Sequence, residues 1–403
     1  MANRIWKQSL LSEVCEVNPG KKDLQELDKD TVVSFLPMAL VSEDGKIIDK
    51  EERKLKEVIK GYTNFRDGDV LLAKITPCFE NGKRAIAKNL TNGVGFGSTE
   101  FHVLRSKGEV TSDWIFHAIS RADFCNIAKS QMTGTAGQKR VPTRVLEQFK
   151  IPVPSIKEQE EISGNIETQF TRLESTIKSL KTVKAKLSIY RKSVLKAAFK
   201  PGKNEEWQSS PISQIVRIID YRGRTPPYSG SGIPHLRSAN IKKGKIIWEK
   251  MKYVSDETYD AYMTRGLPEK GDVLFTTEAP LGEVAISPDI KFSMAQRMVL
   301  LRPKADLIHY KFLLYQIISD SFQGALMGKG TGTTVTGVSS RNFKTIQIVF
   351  PDNTPRQEEI VDEIESRFSV IDKLETVIDA SLSKAETLRK SILKSAFEGK
   401  LVN

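Results

Sequence analysis

QEEISGNIETQFTRLE, beginning at Gln159, returns as QEEIVDEIESRFSVID at Gln357, 198 residues further on. The same spacing carries RKSVLKAAF, from Arg191, onto RKSILKSAF, from Arg389. Two blocks in one ungapped register mark an internal duplication, and a period near half the chain sets it apart from a solenoid. Apolar residues in the first copy fall at Ile162, Ile166, Phe170, Leu173, Ile177, Leu180, Leu187, Tyr190 and Val194. In the second they fall at Ile360, Ile364, Phe368, Ile371, Leu374, Ile378, Leu382, Ala385, Leu388 and Ile392. Steps of three and four over several heptads predict two long helices carrying a coiled-coil seam. Neither run holds a proline. Pro154 precedes the first and Pro201-Gly202 stops it; Pro351 and Pro355 precede the second and Gly399 stops it. Some 40 residues exceeds the ~10–14 of an ordinary globular helix. The two helices, each about 60 Å long, are therefore expected to pair with each other rather than cover their own domains separately. The expected interface is Ile162, Ile166, Phe170, Leu173, Leu180 and Leu187 against Ile360, Ile364, Phe368, Ile371, Ile378 and Leu388.

Outward from these helices the repeat weakens but persists. Trp6 and Trp207 each precede a short apolar segment, GDVLLAKITP from Gly68 echoes GDVLFTTEAP from Gly271, and FKIPVP from Phe149 echoes FKTIQIVFP from Phe343. The layout is a globular unit and a helix, then both again. Short apolar runs such as VVSFLPMAL, DVLLAKI and EFHVLR, or DVLFTT, MVLLRP and IQIVF, predict many short strands. Helical stretches near Thr111 and His309 follow, then Gly- and Thr-rich loops, TGTAGQKR from Thr133 and GKGTGTTVTG from Gly328. The fold class is α+β, with two mixed α/β domains separated by two long helices pairing as an antiparallel coiled coil under a pseudo-two-fold. In each domain an irregular, mainly antiparallel sheet with helices on one side is expected. The expected segments are 1–154 and 204–352 for the domains, and 155–203 and 353–403 for the helices.

The 403 residues suffice for two or three domains. Lys plus Arg is 62 against 50 Asp plus Glu, a net charge of +12, which favours a polyanionic partner. Hydrophobic content of 39% argues against wholesale disorder. No apolar run approaches the ~18 residues of a membrane span, and MANRIWKQSLLSEVCEV lacks a signal-peptide apolar core. Cys15, Cys78 and Cys125 are three and far apart, which suits a reducing cytoplasm rather than a disulfide framework or a CxxC metal site.

Catalytic readings fail one by one. His102, His117, His235 and His309 show no metal-binding spacing. No GxSxG elbow is present. GALMGKGTG, from Gly324, departs from the phosphate loop, which requires Ser or Thr after its Lys; Lys329 is followed by Gly330. Gly93, Gly95 and Gly97 lead into a strand, not a helix, so they form no dinucleotide loop. Thr225-Pro226-Pro227-Tyr228 is similar to a tetrapeptide of adenine methyltransferases, in which the first side chain and a carbonyl accept from the adenine amino group and the ring stacks on the flipped base. Thr offers only a hydroxyl and the accompanying cofactor loop is missing, so a rigid Pro-Pro turn is the simpler reading.

Cations set among Gly, Thr, Asn and Gln loops remain, the combination that groove binding uses. The expected DNA contacts are Lys74, Lys83, Arg84, Gln138, Lys139, Arg140 and Arg144 in the first domain. In the second they are Arg222, Arg224, Tyr228, Arg237, Asn240, Gln296, Arg297, Lys329 and Arg341. Two similar domains related by a helix pair suit the two-fold symmetry of duplex DNA and hence a bipartite target.

Over essentially its whole length the chain resembles the specificity subunits of type I restriction–modification systems. The most specific segments are IPVPSIKEQEEI from Ile151 with RKSVLKAAFKPGK, and PDNTPRQEEI from Pro351 with RKSILKSAFEGKLV. The resemblance implies a non-catalytic subunit of a prokaryotic cytoplasm whose two target recognition domains each read half of a split double-stranded DNA site. It implies two modification subunits docked on the helices, restriction subunits recruited through the complex, and no cofactor in this chain; S-adenosylmethionine, ATP and Mg belong to the partners. GSTEFHVLR, from Gly97, is typical of one recognition-domain subgroup, whereas MAQRMVLLRP stands at the matching place of the second unit, so different half-sites are expected. A coiled-coil adaptor without DNA binding and a stand-alone adenine methyltransferase are the alternatives.

Overall fold

A computed structural model describes residues 6–24, 26–221, 225–330 and 336–401. The chain divides into two compact units, residues 1–180 with 380–403 and residues 181–379. Both long helices form, Ile156–Ala198 and Thr354–Phe397. The division falls inside each of them. A unit is thus one globular domain with the head of its own helix and the tail of the other, a grouping by packing that cuts across the four consecutive segments of the sequence reading.

The strands of the first unit are β1 (Lys7–Leu10), β2 (Cys15–Val17), β3 (Val32–Leu36), β4 (Glu51–Lys54), β5 (Thr63–Arg66), β6 (Val70–Ala73), β7 (Arg84–Ile86), β8 (Val94–Gly97), β9 (Phe101–Ser106) and β10 (Lys150–Val153). An antiparallel sheet runs β2-β9-β6-β7, a second runs β4-β3-β8-β5 with β3 and β8 parallel, and β1 pairs with β10. The expected single sheet is therefore two. Its cause is visible in β6, which is buried at every position. Val70 and Leu72 enter the core shared with the helices, while Leu71 enters a separate core with Phe65, Ala85 and Val103. Alternation with both faces apolar requires a layer on each side. In β8, a Cβ on Gly95 would stand 2.2 Å from the Phe65 ring, so the glycine is what lets that ring fill the inter-sheet core.

The second unit repeats the plan with β11 (Trp207–Pro211), β12 (Val216–Asp220), β13 (Ile233–Leu236), β14 (Ile241–Lys242), β15 (Lys245–Ile246), β16 (Lys252–Val254), β17 (Val273–Thr277), β18 (Leu281–Ile286), β19 (Ser293–Met294), β20 (Met298–Pro303) and β21 (Gln347–Pro351). Its main sheet is β12-β20-β17-β18, its second β16-β13-β19, and β11 pairs with β21.

The repeated sequence blocks mark how helices join domains. The Gln159 amide accepts from Thr111 N at 2.8 Å and donates to the Glu109 and Pro154 carbonyls. Gln357 does the same with His309 N, Leu307 O and Pro351 O. Both amides are fully buried, so each satisfies backbone groups that would otherwise be stranded where helix meets domain. In the first unit Ile162, Ile166 and Phe170 share one core with Ile392, Leu393, Ala396 and Phe397 from the other helix, and Phe397 stacks on Trp114 at 4.2 Å. In the second, Ile360, Val361 and Ile364 meet Val194 and Leu195, and Phe199 packs edge-on to Phe312 at 5.3 Å. Head against tail in both units is the antiparallel pairing.

The seam itself differs from expectation in one column. Ile364, Ile371, Ile378, Ala385 and Ile392 are buried at steps of seven. Ile166 and Val194 are buried and Leu173, Leu180 and Leu187 half-buried at the same steps on the first helix. Leu388, expected in the interface, is 47% exposed, and Leu374 is 46% exposed. The second column lies one residue on, at Phe368, Glu375, Leu382 and Arg389, matching Phe170, Ile177, Lys184 and Arg191. Its charges pair across: Arg191 with Asp372 and Glu375, Lys184 with Asp379, and Arg389 with Glu174. Arg389 lies over the Phe170 ring at 4.5 Å and Arg191 over Phe368 at 4.4 Å. With an arginine guanidinium over an aromatic face at the seam position, the neighbouring leucine is left outside.

Candidate nucleic-acid interface

In each unit two central strands run from the helix socket to a rim of loops at their other end. Lys107 N, just beyond the end of β9, bonds back to Val14 O, and the chain reaches the Gln159 socket at Thr111. At the opposite end Lys74 N donates to Glu100 O at 2.8 Å, which brings the turn after β6 against the turn before β9. The Gly- and Thr-rich loop closes on the same place: Thr76 N donates to Lys139 O and Val141 N to Lys74 O, both at 2.9 Å. His102 holds the loop base, its Nε2 donating to Val141 O at 2.8 Å while Nδ1 faces the Asn18 amide at 3.2 Å. Burial lowers the His102 pKa, keeping the neutral tautomer that suits one donor and one acceptor. The tip of the loop, residues 133–139, is exposed.

Across the rim Arg140 grips Glu100, Nε to Oε2 at 2.9 Å and Nη2 to Oε1 at 2.8 Å. This two-pronged, charge-assisted pair holds the Glu100 carboxyl below its usual pKa. The second unit has the same backbone frame. Thr277 N donates to Arg297 O and Val338 N to Thr277 O, both at 3.0 Å, with Glu278 bridged to Gly337. Arg297 Nε there meets Glu278 Oε1 at 3.1 Å.

The rims gather part of the expected set. Lys74, Gln138, Lys139 and Arg140 stand together on the first, and Gln296 and Arg297 on the second. Lys329 reaches Thr345 Oγ1 at 2.5 Å, and Arg144 and Arg341 are exposed on the short helices Thr143–Glu147 and Ser340–Lys344. Lys83 donates to Met38 O. Arg237 donates to Lys250 O, and Tyr228, 48% exposed, lies 5.4 Å from the His235 ring with Lys252 over its face. Two expectations are corrected. Arg84 turns inward, donating to Ile119 O at 2.7 Å and Gly82 O at 3.2 Å, with its pKa lowered by burial. Asn240 is buried, donating to Ile247 O and accepting from Arg237 N. Both carry polar groups that the fold needs for its own carbonyls and amides. Arg222 and Arg224 lie outside the described residues. Neither Glu100 nor Glu278 stands out in a pattern of cations; the acids inside GSTEF, from Gly97, and TTEAP, from Thr276, are the only sequence signals of them. Among the described residues no group of His, Cys, Asp and Glu is placed to hold a metal, and no helix is long and apolar enough to cross a membrane.

The duplicated frame has counterparts among known proteins. The type I restriction modification DNA specificity domain matches twice, over residues 3–186 and 204–383, and the chain belongs to that family. Among relatives, it is 44% identical over 162 residues to the EcoEI specificity subunit of Escherichia coli, covering 40% of this chain and 27% of that one. Against the EcoAI specificity subunit of E. coli it is 44% identical over 160 residues, 39% of this chain and 26% of the other, so it aligns with about a quarter of the length of these two. The EcoKI specificity subunit of E. coli strain K12 is 24% identical over 86% of this chain and 77% of its own. In fold it is similar, at TM-score 0.79 and 20% identity over 98% of both chains, to a chain solved in work on complex assembly and conformational transition of the type I R-M system. The HsdS subunit from Thermoanaerobacter tengcongensis follows at TM-score 0.61 and 20% identity, covering 98% of this chain and 97% of the other.

Proposed function

We propose that this chain is the sequence-specific DNA-recognition subunit of a type I restriction–modification complex, each domain reading one half of a bipartite double-stranded target. The observation that carries the reading is the pair of rims: one backbone frame used twice, with Lys74, Lys139 and Arg140 on the first and Arg297 on the second, so that among the described residues the side chains differ between the two. Equivalent positioning with different base-facing chemistry is what two unlike half-sites require. The chain acts without catalysis of its own. The helix pair sets the spacing of the half-sites and docks two modification subunits, through which restriction subunits join. S-adenosylmethionine, ATP and Mg are bound in those partners, and the complex works in a prokaryotic cytoplasm.

The test is to reconstitute the chain with its modification subunits and map the sites methylated in a genome. One split sequence with a fixed spacer is expected, with affinity falling about 10³-fold or more between 50 and 200 mM salt as phosphate contacts release counterions. Salt-insensitive or absent DNA binding would leave the adaptor reading. Methyl transfer by the chain alone would point to the methyltransferase reading.

A further inference from the structure

We infer that Glu100 and Arg297 are equivalent base-reading positions of opposite charge, so that the first domain selects a base-pair edge that donates and the second an edge that accepts. The inference rests on the rims being the DNA-facing surface, as proposed above. The equivalence comes from backbone hydrogen bonds rather than from sequence likeness. Lys74 N to Glu100 O in one unit is Thr277 N to Arg297 O in the other, and Val141 N to Lys74 O is Val338 N to Thr277 O. By that frame Arg140 corresponds to Gly337 and Ile75 to Glu278. The ion pair is therefore inverted: acid on the turn and base on the loop in the first domain, base on the turn and acid on the neighbouring turn in the second. Gly337 fits the inversion, because a side chain there would press on Glu278, whose Cβ is 3.3 Å from the position of a glycine-added Cβ.

An acid on a surface that meets phosphates is repelled unless something neutralises it. Arg140 does so and fixes the carboxylate plane with two bonds, while a carboxylate has about four acceptor sites. The remaining sites accept only. In the major groove their partner is an exocyclic amino group, cytosine N4 or adenine N6. Arg297 is tied to Glu278 through Nε, and the Nη end of its guanidinium presents the donor fork that matches guanine O6 and N7. Each countercharge holds its reader in place before DNA arrives, which reduces the ordering cost of binding.

The experiment uses the full chain in complex with its modification subunits, with selection from a randomised duplex library. Glu100→Gln keeps the shape but gains a donor, which suits adenine N6 and N7 and not cytosine N4 alone, so the preference between adenine and cytosine at one position of the first half-site should change about 10- to 100-fold. Arg297→Lys keeps the charge but loses the fork. It should lower guanine discrimination at one position of the second half-site by a similar factor while leaving the salt dependence unchanged. Each change should be confined to its own half-site. If either variant assembles normally and loses affinity uniformly across all sequences, the pair is only a loop clamp or a phosphate contact and the inference fails. If the unaltered complex selects no split sequence at all, the proposed function fails first. Should Glu100→Gln not assemble, Arg297→Lys alone decides, since it removes no side-chain bond that the loop of the first unit uses.

Discussion

A chain cut after Lys203 tests the helix exchange directly. The first unit then loses Ile392, Leu393, Ala396 and Phe397, which complete its core beside Trp114. The fragment also carries an unpartnered tail of nearly the same sequence: Val194, Leu195, Ala198 and Phe199, in the same register. Arg191 stands where Arg389 stands, so the contact with Phe170 and Glu174 is reproduced as well. Two copies can therefore fill each other's sockets. The substitution in the buried set is Val194 for Ile392, which costs about 0.5–1.5 kcal/mol per socket. Leaving the socket empty forfeits several large buried side chains at roughly 1.5–3 kcal/mol each. A homodimer is expected by sedimentation velocity at about 10 μM, near the range where −8 kcal/mol of association free energy holds a dimer. Leu195→Ala then empties both sockets at about 2–5 kcal/mol apiece. Because a dimer has two, the dissociation constant should rise by about 10³ or more. A folded fragment that stays monomeric at that concentration refutes the exchange, as does a Leu195→Ala fragment that dimerises equally well.

Two further expectations concern the full chain. Leu393→Ala should destabilise the first unit by about 2–5 kcal/mol, read as faster amide exchange in Ser112–Ala118, whereas Leu388→Ala should stay within about 0.5 kcal/mol of the parent. His117 is buried, with Glu167 3.5 Å from Nε2; burial pushes its pKa from the ordinary 6.5 down to about 4, with Asp113 opposing and Arg389 and Arg84 reinforcing the shift. The unfolded chain thus binds the proton first. His117 contributes full stability above about pH 6.5 and loses it as the pH falls toward 4, a change on the order of 3 kcal/mol in the unfolding free energy read from urea titrations. His117→Tyr, copying Tyr315 at the equivalent place, should flatten that slope.

The duplication and the helices were legible because a repeat needs only self-comparison and an amphipathic helix is a local pattern. QEEI and RKSxLKxAF could be aligned without knowing what they touch. The strands around GDVLLAKI and GDVLFTT could be placed, but not divided between sheets. A residue alternating between two apolar layers has the same composition as one in a single buried layer, so the second sheet of each domain stayed hidden.

Charged residues resisted the sequence reading most. Arg84 and Arg140 are alike as letters, yet one is consumed by the Ile119 and Gly82 carbonyls and the other holds Glu100 on the rim. The apolar pattern points to Leu388 for the seam and not to Arg389, yet the arginine takes the place against Phe170. A periodic apolar pattern records which face of a helix avoids water. What a guanidinium bonds depends on carbonyls and carboxylates brought near it from distant parts of the chain, such as Glu174 for Arg389. Helix address and domain count are therefore written locally, whereas the pairing of tail with opposite head, and of each charge with its partner, exists only once the chain has folded.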